Sequence, residues 1–531
     1  MTRKLTNLEI NIHTDLNLKI NPKEITIIDS IKILINTLNN NFRNICDKSY
    51  KTELENYYLN LILHPFSIDY LCITTNYFSN LLLEWYFILG NVFLINDPIF
   101  DILLENKDYL LKIPEITDLL LQKTYNSKLR NFYNNIIMNK WKEILNFKKY
   151  EFENYKKIIN GTLSDEDLLK NYNKYLLMWN LFESCVEQVK IITNKYINYY
   201  TNITNLVPGC TNINKEFYYY CINFNTGLDI RKIGFKKVFL WGYQEYKKIR
   251  KLIINIIDKI HPEIKDKTYE YKIKFMSNNS LYKFKSKEEY VNKHNNELRK
   301  IKKIIVDKYK IPLLKDAKII NFDDVNMAGG YWFKDTFYLN THNWKKTETF
   351  STKALVLHET IPGHHLQLSY ETHADTNPSV FGYWFSTILN GNAEGWALFS
   401  EKIADNYTDL EILGVLTYNM LRTLRIIADI GIHYIGVEPE LVINIFKRNL
   451  IMNEESIKSE VYRYVCLPGQ ALCYKFGDLI IRKIFMKKFN RTTNLLADDT
   501  VEFYKDFITG GMLPLELLCK KYNIDINSLF D

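Results

Sequence analysis

Three of the chain's ten histidines fall within eight residues, His358-Glu359-Thr360-Ile361-Pro362-Gly363-His364-His365. A catalytic zinc needs three protein ligands from His, Glu, Asp or Cys, an open position for water and a nearby base. The usual short solution is H-E-x-x-H, two histidines one helical turn apart with the Glu beside the water. This segment departs from it, because the fourth residue after His358 is Pro362. On an unbroken helix the sixth residue on faces away, and the seventh lies roughly 10 Å along the axis. Neither His364 nor His365 could then share a metal with His358. Proline removes a helical donor and disfavours helix at the residue before it, and glycine permits otherwise strained torsions. Pro362-Gly363 therefore reads as a two-residue insertion that breaks the helix and brings His364 in as second ligand. His365 then lies just outside the metal's ligands or faces substrate, and it is the alternative second ligand. Glu359 is the candidate general base.

The third ligand is sought on a neighbouring helix. In Asn392-Ala393-Glu394-Gly395-Trp396-Ala397-Leu398-Phe399-Ser400-Glu401, Glu394 and Glu401 are seven apart and share one face. Glu394 is the better ligand, since small Ala393 and Gly395 let this helix approach another closely. Glu401, two turns on, is placed to orient a ligand histidine.

The elements that must position these groups are mostly helical. With 19 Gly and 12 Pro in 531 residues, the chain suits long helices better than a turn-rich β fold. Ser164 can cap a helix opening on Asp165, Glu166 and Asp167, and Leu168, Tyr172, Tyr175, Trp179, Phe182, Val186 and Val189 form one stripe. The pattern changes near 317. Ala317–Asn321 and Gly330–Asn340 look extended, the latter as a β-hairpin turning at Lys334-Asp335-Thr336, just before the metal segment. This divides the chain into a helical region, 1–315, and a zinc-binding region, 316–531, or leaves it as one continuous bilobed domain. At this length either organisation is open.

Taken in order, these motifs are familiar. His-Glu-x-x-Pro-Gly-His-His followed by Glu-Gly-Trp-Ala-Leu-x-x-Glu resembles the domain-of-unknown-function 885 family, whose members are regarded as zinc-dependent peptidases. Arg422-x-x-Arg425…Asp429-x-Gly431-x-His433, Glu460-x-x-Arg463-Tyr464…Pro468-Gly469-Gln470-Ala471-x-x-Tyr474-x-x-Gly477 and Gly511-Met512-Leu513-Pro514-Leu515 extend the match over roughly 350–520. Val437 and Ala428 depart from the family's usual residues, at positions peripheral to the metal.

The resemblance implies a mainly α, large bilobed metallopeptidase fold like that of neurolysin or angiotensin-converting enzyme, with a small β-hairpin near a deep active-site cleft. It also implies a gluzincin-type set of two His and one Glu. The expectation is one zinc per chain held by His358, His364 and Glu394, with Glu359 taking a proton from water during peptide hydrolysis. A donor to the developing oxyanion is expected among Tyr474, Tyr464 and His433, with Tyr474 first because of its block. Arg422, Arg425, Arg463 and Lys475 could grip a substrate carboxylate or serve as internal ion-pair partners. A zinc hydrolase of another amide or ester, and an inactive helical binding protein, are the alternatives.

Other classes fit less well. The net charge of +8 is spread among interleaved acids and bases, without the basic stripe that nucleic acid requires. The apolar stretch 81–95 is broken by Glu84 and Asn91 and is too short to span a bilayer. No membrane and no nucleic-acid partner is expected, only a peptide substrate. Eight scattered cysteines without a CxxC pair, and a start without an apolar signal core, point to free thiols and a cytoplasmic location.

Overall fold

A computed structural model describes residues 213–308, 310–323, 329–333, 335–373, 389–401, 407–489 and 498–530, with scattered residues at 53–64 and 184–195. The chain divides into two compact units, Met1–Asn40 with Asn56–Cys210, and Asn41–Glu55 with Thr211–Asp531. The pattern change near 315 falls inside the second unit, which carries every candidate site residue. The stripe from Leu168 to Val189 belongs to the first and lies outside the described residues.

From Thr211 on, the second unit runs through helices α1 (Lys215–Thr226), α2 (Phe235–Ile260), α3 (Tyr269–Asn278) and α4 (Lys287–Lys302). A small sheet follows, of β1 (Lys318–Phe322), β2 (Gly330–Phe333) and β3 (Thr336–Asn340). Helices then resume as α5 (Thr352–Glu359), α6 (His364–His373), α7 (Asn390–Ser400), α8 (Asp409–Ile430), α9 (Pro439–Asn449), α10 (Glu454–Cys466), α11 (Cys473–Phe489), α12 (Asp498–Thr509) and α13 (Leu515–Lys521). The chain is mainly helical, as its composition predicts.

The expected hairpin is present as β2 and β3, antiparallel with Phe333 opposite Thr336, and Asp335 takes φ 57° in the turn. The segment at 318 adds what periodicity did not reveal, a parallel strand β1 beside β3, giving the order β1-β3-β2. Parallel pairing is set by tertiary packing and leaves no local signature. On the buried side, Phe337 and Leu339 pack with Phe284 and Tyr290, fixing the sheet to α4.

Helix α8 shows how sequence sets the frame. Thr408 and Glu411 form a reciprocal capping box, with Glu411 N–H donating to the Thr408 hydroxyl and Thr408 N–H donating to Glu411. Leu413, Thr417, Met420, Leu421, Leu424 and Ala428 then recur at three- and four-residue steps and are buried. The helix thus presents Arg422, Arg425 and Asp429 inside the unit. Helix α7 lies against α11 at glycine-to-glycine distance: a Cβ on Gly395 would sit 2.3 Å from the Gly477 Cα. No side chain fits there, which is the close approach expected around Glu394. Trp396, fully buried among Phe399, Tyr504 and Phe507, anchors the same helix, and its size makes it a large apolar contribution.

Candidate metal centre

Helix α5 stops at Glu359. Thr360 leaves helical geometry (φ −114°, ψ −117°), and the Ile361–Pro362 peptide is cis. The loop folds back on the helix end: Gly363 N–H donates to Leu357 O at 3.1 Å, and His365 N–H to Thr360 O at 3.0 Å. A Cβ on Gly363 would lie 2.0 Å from the His358 carbonyl oxygen, so only glycine fits this return. The Trp396 indole N–H donates to Pro362 O at 2.8 Å and ties the loop to α7. By this route His364 arrives beside His358, their rings 4.8 Å apart and nearly perpendicular.

His358, His364 and Glu394 offer ligand atoms that all lie within 4.8 Å of one another. Nε2 of His358 is 3.3 Å, and Nε2 of His364 3.5 Å, from Oε2 of Glu394. Among the described residues, the buried Glu394 Oε2 has no hydrogen-bond donor and the buried Nδ1 of His364 no partner. Two ligands at ordinary zinc distances from a tetrahedral centre stand roughly 3.3 Å apart. The three side chains therefore fit a zinc ion in spacing and donor type, and the orphaned carboxylate oxygen is what a cation would satisfy.

The surroundings favour the same state. Nδ1 of His358 donates to Oε1 of Glu401 at 2.8 Å, so Nε2 is the ring nitrogen that faces Glu394. Arg422 reaches the same Glu401 oxygen at 3.2 Å, so that fully buried carboxylate has a cationic partner. In the metal-free chain burial opposes charge on His358, but the carboxylates of Glu394 and Glu401 outweigh it and raise its pKa to about 9. Burial likewise opposes charge on Glu394, yet His358 and His364 hold its carboxyl well below the usual range. Glu359 differs: burial dominates and raises its pKa, the change that makes a carboxylate a better proton acceptor.

The remaining candidates separate by what their polar atoms touch. His365 donates from Nε2 to Lys315 O at 3.0 Å, and Nδ1 accepts from the Trp332 indole at 3.4 Å, so both ring nitrogens are in use. That contact also brings β2, an edge of the described sheet, against the helix that carries His364. Tyr474 lies 6.5 Å from the His358 ring, nearly parallel to it, with the Arg425 guanidinium 4.1 Å above its own ring. Burial and the nearby Glu394 charge raise the pKa of its phenol, keeping it protonated. The Tyr464 hydroxyl is instead committed to Glu460, which also holds Arg425 at 2.7 Å and Arg463 at 3.0 Å. His433 is wholly buried and donates to the Tyr464 carbonyl at 2.9 Å; burial pushes its pKa down to about 4. The Lys475 ammonium meets Asn419 at 3.0 Å, and Glu245 and Asp478 at 3.6 Å each, on the side of α11 that packs toward α2 and α8.

Two supports escaped the sequence reading. Gln367 donates to Asn392 at 2.9 Å, joining α6 to α7, and Trp396 holds the Pro-Gly loop. The indole was open to inference, since a buried tryptophan N–H needs an acceptor; the Gln–Asn contact had no signal in spacing.

Residues 181–521 match the family described as "Bacterial protein of unknown function (DUF885)", over more than half of the chain, and the chain belongs to that family. No curated protein matches the sequence. Among solved structures, the chain is similar to one from Shewanella oneidensis described as a putative lipoprotein of unknown function. Identity is 14%, coverage 93% of this chain and 92% of that one, and the TM-score 0.60. It is also similar to a putative lipoprotein from Colwellia psychrerythraea at 18% identity, covering 78% of each chain, with a TM-score of 0.58. At these identities the likeness is one of fold. No described helix is long and apolar enough to cross a membrane.

Proposed function

We propose that this chain is a zinc-dependent peptidase whose metal is held by His358, His364 and Glu394. The observation that carries the reading is the convergence of two imidazole Nε2 atoms on one buried, donor-free carboxylate oxygen, next to a buried Glu with raised proton affinity. When bound, zinc would polarise a carbonyl and acidify water at this point. Glu359 accepts the proton released as water adds to the scissile carbonyl and returns it to the leaving nitrogen as the C–N bond breaks. Glu401 keeps His358 in the tautomer that offers Nε2, and Arg422 balances the charge of Glu401. Tyr474, held protonated, supplies an O–H donor for the developing oxyanion. The edge strand β2, beside His365, supports an extended peptide as substrate.

The finer expectations belong to the same proposal: a bilobed neurolysin- or angiotensin-converting-enzyme-like architecture, with the catalytic region at 316–531. A cytoplasmic location is supported by the buried free thiols Cys221, Cys473 and Cys519. The two similar proteins described as lipoproteins argue against it, and cell fractionation decides between them. The functional test is digestion of a peptide library by the zinc-loaded chain, reading the new termini. Cleavage abolished by a chelator and restored by zinc supports the proposal; an intact library contradicts it.

A further inference from the structure

Tyr474 is the second residue of α11, and the chain enters that helix through a tight turn, residues 468–472, gripped from two sides. From α8, the buried carboxylate of Asp429 accepts the Gly469 N–H with both oxygens, at 3.0 and 3.2 Å, and also engages the Ala471 amide. From α1, the Tyr218 hydroxyl donates to that same carboxylate. Asn225 of α1 donates to the Pro468 carbonyl at 3.3 Å, and its own carbonyl accepts from Cys473 Sγ at 3.2 Å. Gly469 takes φ +83°, and a Cβ there would lie 2.8 Å from the Ile222 backbone, so the turn has no room to shift toward α1. A fully buried carboxylate is costly, and here it is matched by a phenol and backbone amides aimed at one turn.

We infer that Asp429 is a positioning residue for Tyr474: by clamping the 468–472 turn between α8 and α1 it sets where the phenol stands relative to His358. This rests on the proposed peptidase function for the role of Tyr474, but the clamp itself does not. The hydrogen bonds of Asp429 go to Tyr218 and to the Gly469 and Ala471 amides, so it acts through the backbone, and Arg425, one turn earlier on α8, completes the hold by stacking on the Tyr474 ring.

The test is a double-mutant cycle in the full zinc-loaded chain, combining Asp429→Asn with Tyr474→Phe and reading kcat and KM on a cleaved peptide. Residues acting through one group are non-additive, so Asp429→Asn is expected to lower kcat about 10-fold at nearly constant KM in the wild type, and less than about 2-fold in the Tyr474→Phe background. Equal losses in both backgrounds would overturn the inference. Should Asp429→Asn fail to fold, Tyr218→Phe, which removes only one donor to the carboxylate, enters the same cycle with the same expected non-additivity. Hydrogen exchange gives an answer without catalysis: Asp429→Asn should speed exchange of amides 469–475 and leave 352–359 unchanged. Unchanged exchange at 469–475 overturns the clamp whether or not peptides are cleaved, while faster exchange there with no wild-type turnover refutes the peptidase reading alone.

Discussion

Nδ1 of His358 and Oε1 of Glu401 are joined by a hydrogen bond of 2.8 Å between two buried side chains. The bond fixes the imidazole tautomer and lends it negative charge, both of which strengthen Nε2 as a ligand. Glu401→Gln keeps the shape and an acceptor but loses the charge, and zinc affinity should fall about 10–100-fold by chelator competition. Unchanged affinity would mean that Glu401 serves only to partner Arg422.

The two adjacent histidines should behave oppositely. His364→Ala removes a ligand and should lose the metal, whereas His365→Gln should retain stoichiometric zinc, because the His365 ring is occupied by Lys315 O and the Trp332 indole. Metal analysis of the purified variants checks this, and the reverse pattern would transfer the ligand role to His365.

Stability should carry the mark of His294. Burial pushes its pKa down to about 4, with Nδ1 bonded to the Tyr290 carbonyl at 2.8 Å. Between pH about 6.5 and 4 the unfolded chain binds a proton here that the folded chain does not, so stability falls as pH falls through this window. The contribution is up to roughly 3 kcal/mol. His294→Gln should therefore flatten the pH dependence of urea unfolding of the metal-free chain from pH 6.5 to 4. Parallel curves for variant and wild type would show that the imidazole stays hydrated.

Tyr474→Phe removes one hydroxyl and leaves the stacking on Arg425. Turnover should drop on the order of 10²-fold, in kcat and kcat/KM alike, with zinc content and KM unchanged. A raised KM at constant kcat would instead make Tyr474 a ground-state binding residue.

Much of this centre was legible because its chemistry is local. The Pro-Gly break, the displaced histidine and the two carboxylates seven apart on one helix are statements about spacing, and helical geometry converts spacing into direction. Gly395 likewise announced a close helix contact, made with Gly477. What stayed hidden depends on partners remote in sequence. The parallel placement of β1 beside β3 has no local cue. Nothing about Tyr464 as a residue type distinguishes a hydroxyl committed to Glu460 from one open to substrate. Lys475, next to Tyr474 within a motif block, sits on a face of α11 whose neighbours are Asn419 and Glu245, and only packing reveals that. Tyr218 and Asn225 lie where no motif was visible, and Asn225 is 243 residues before the Pro468 it holds.

The most direct measurement is zinc content and peptide turnover of Glu359→Gln beside the wild type. The substitution leaves His358, His364 and Glu394 untouched and removes only the proton acceptor. The account predicts about one zinc per chain in both proteins, as a single three-ligand site requires, with turnover lost in the variant alone. A variant that hydrolyses peptides at the wild-type rate, or a wild type that holds no zinc, would contradict it.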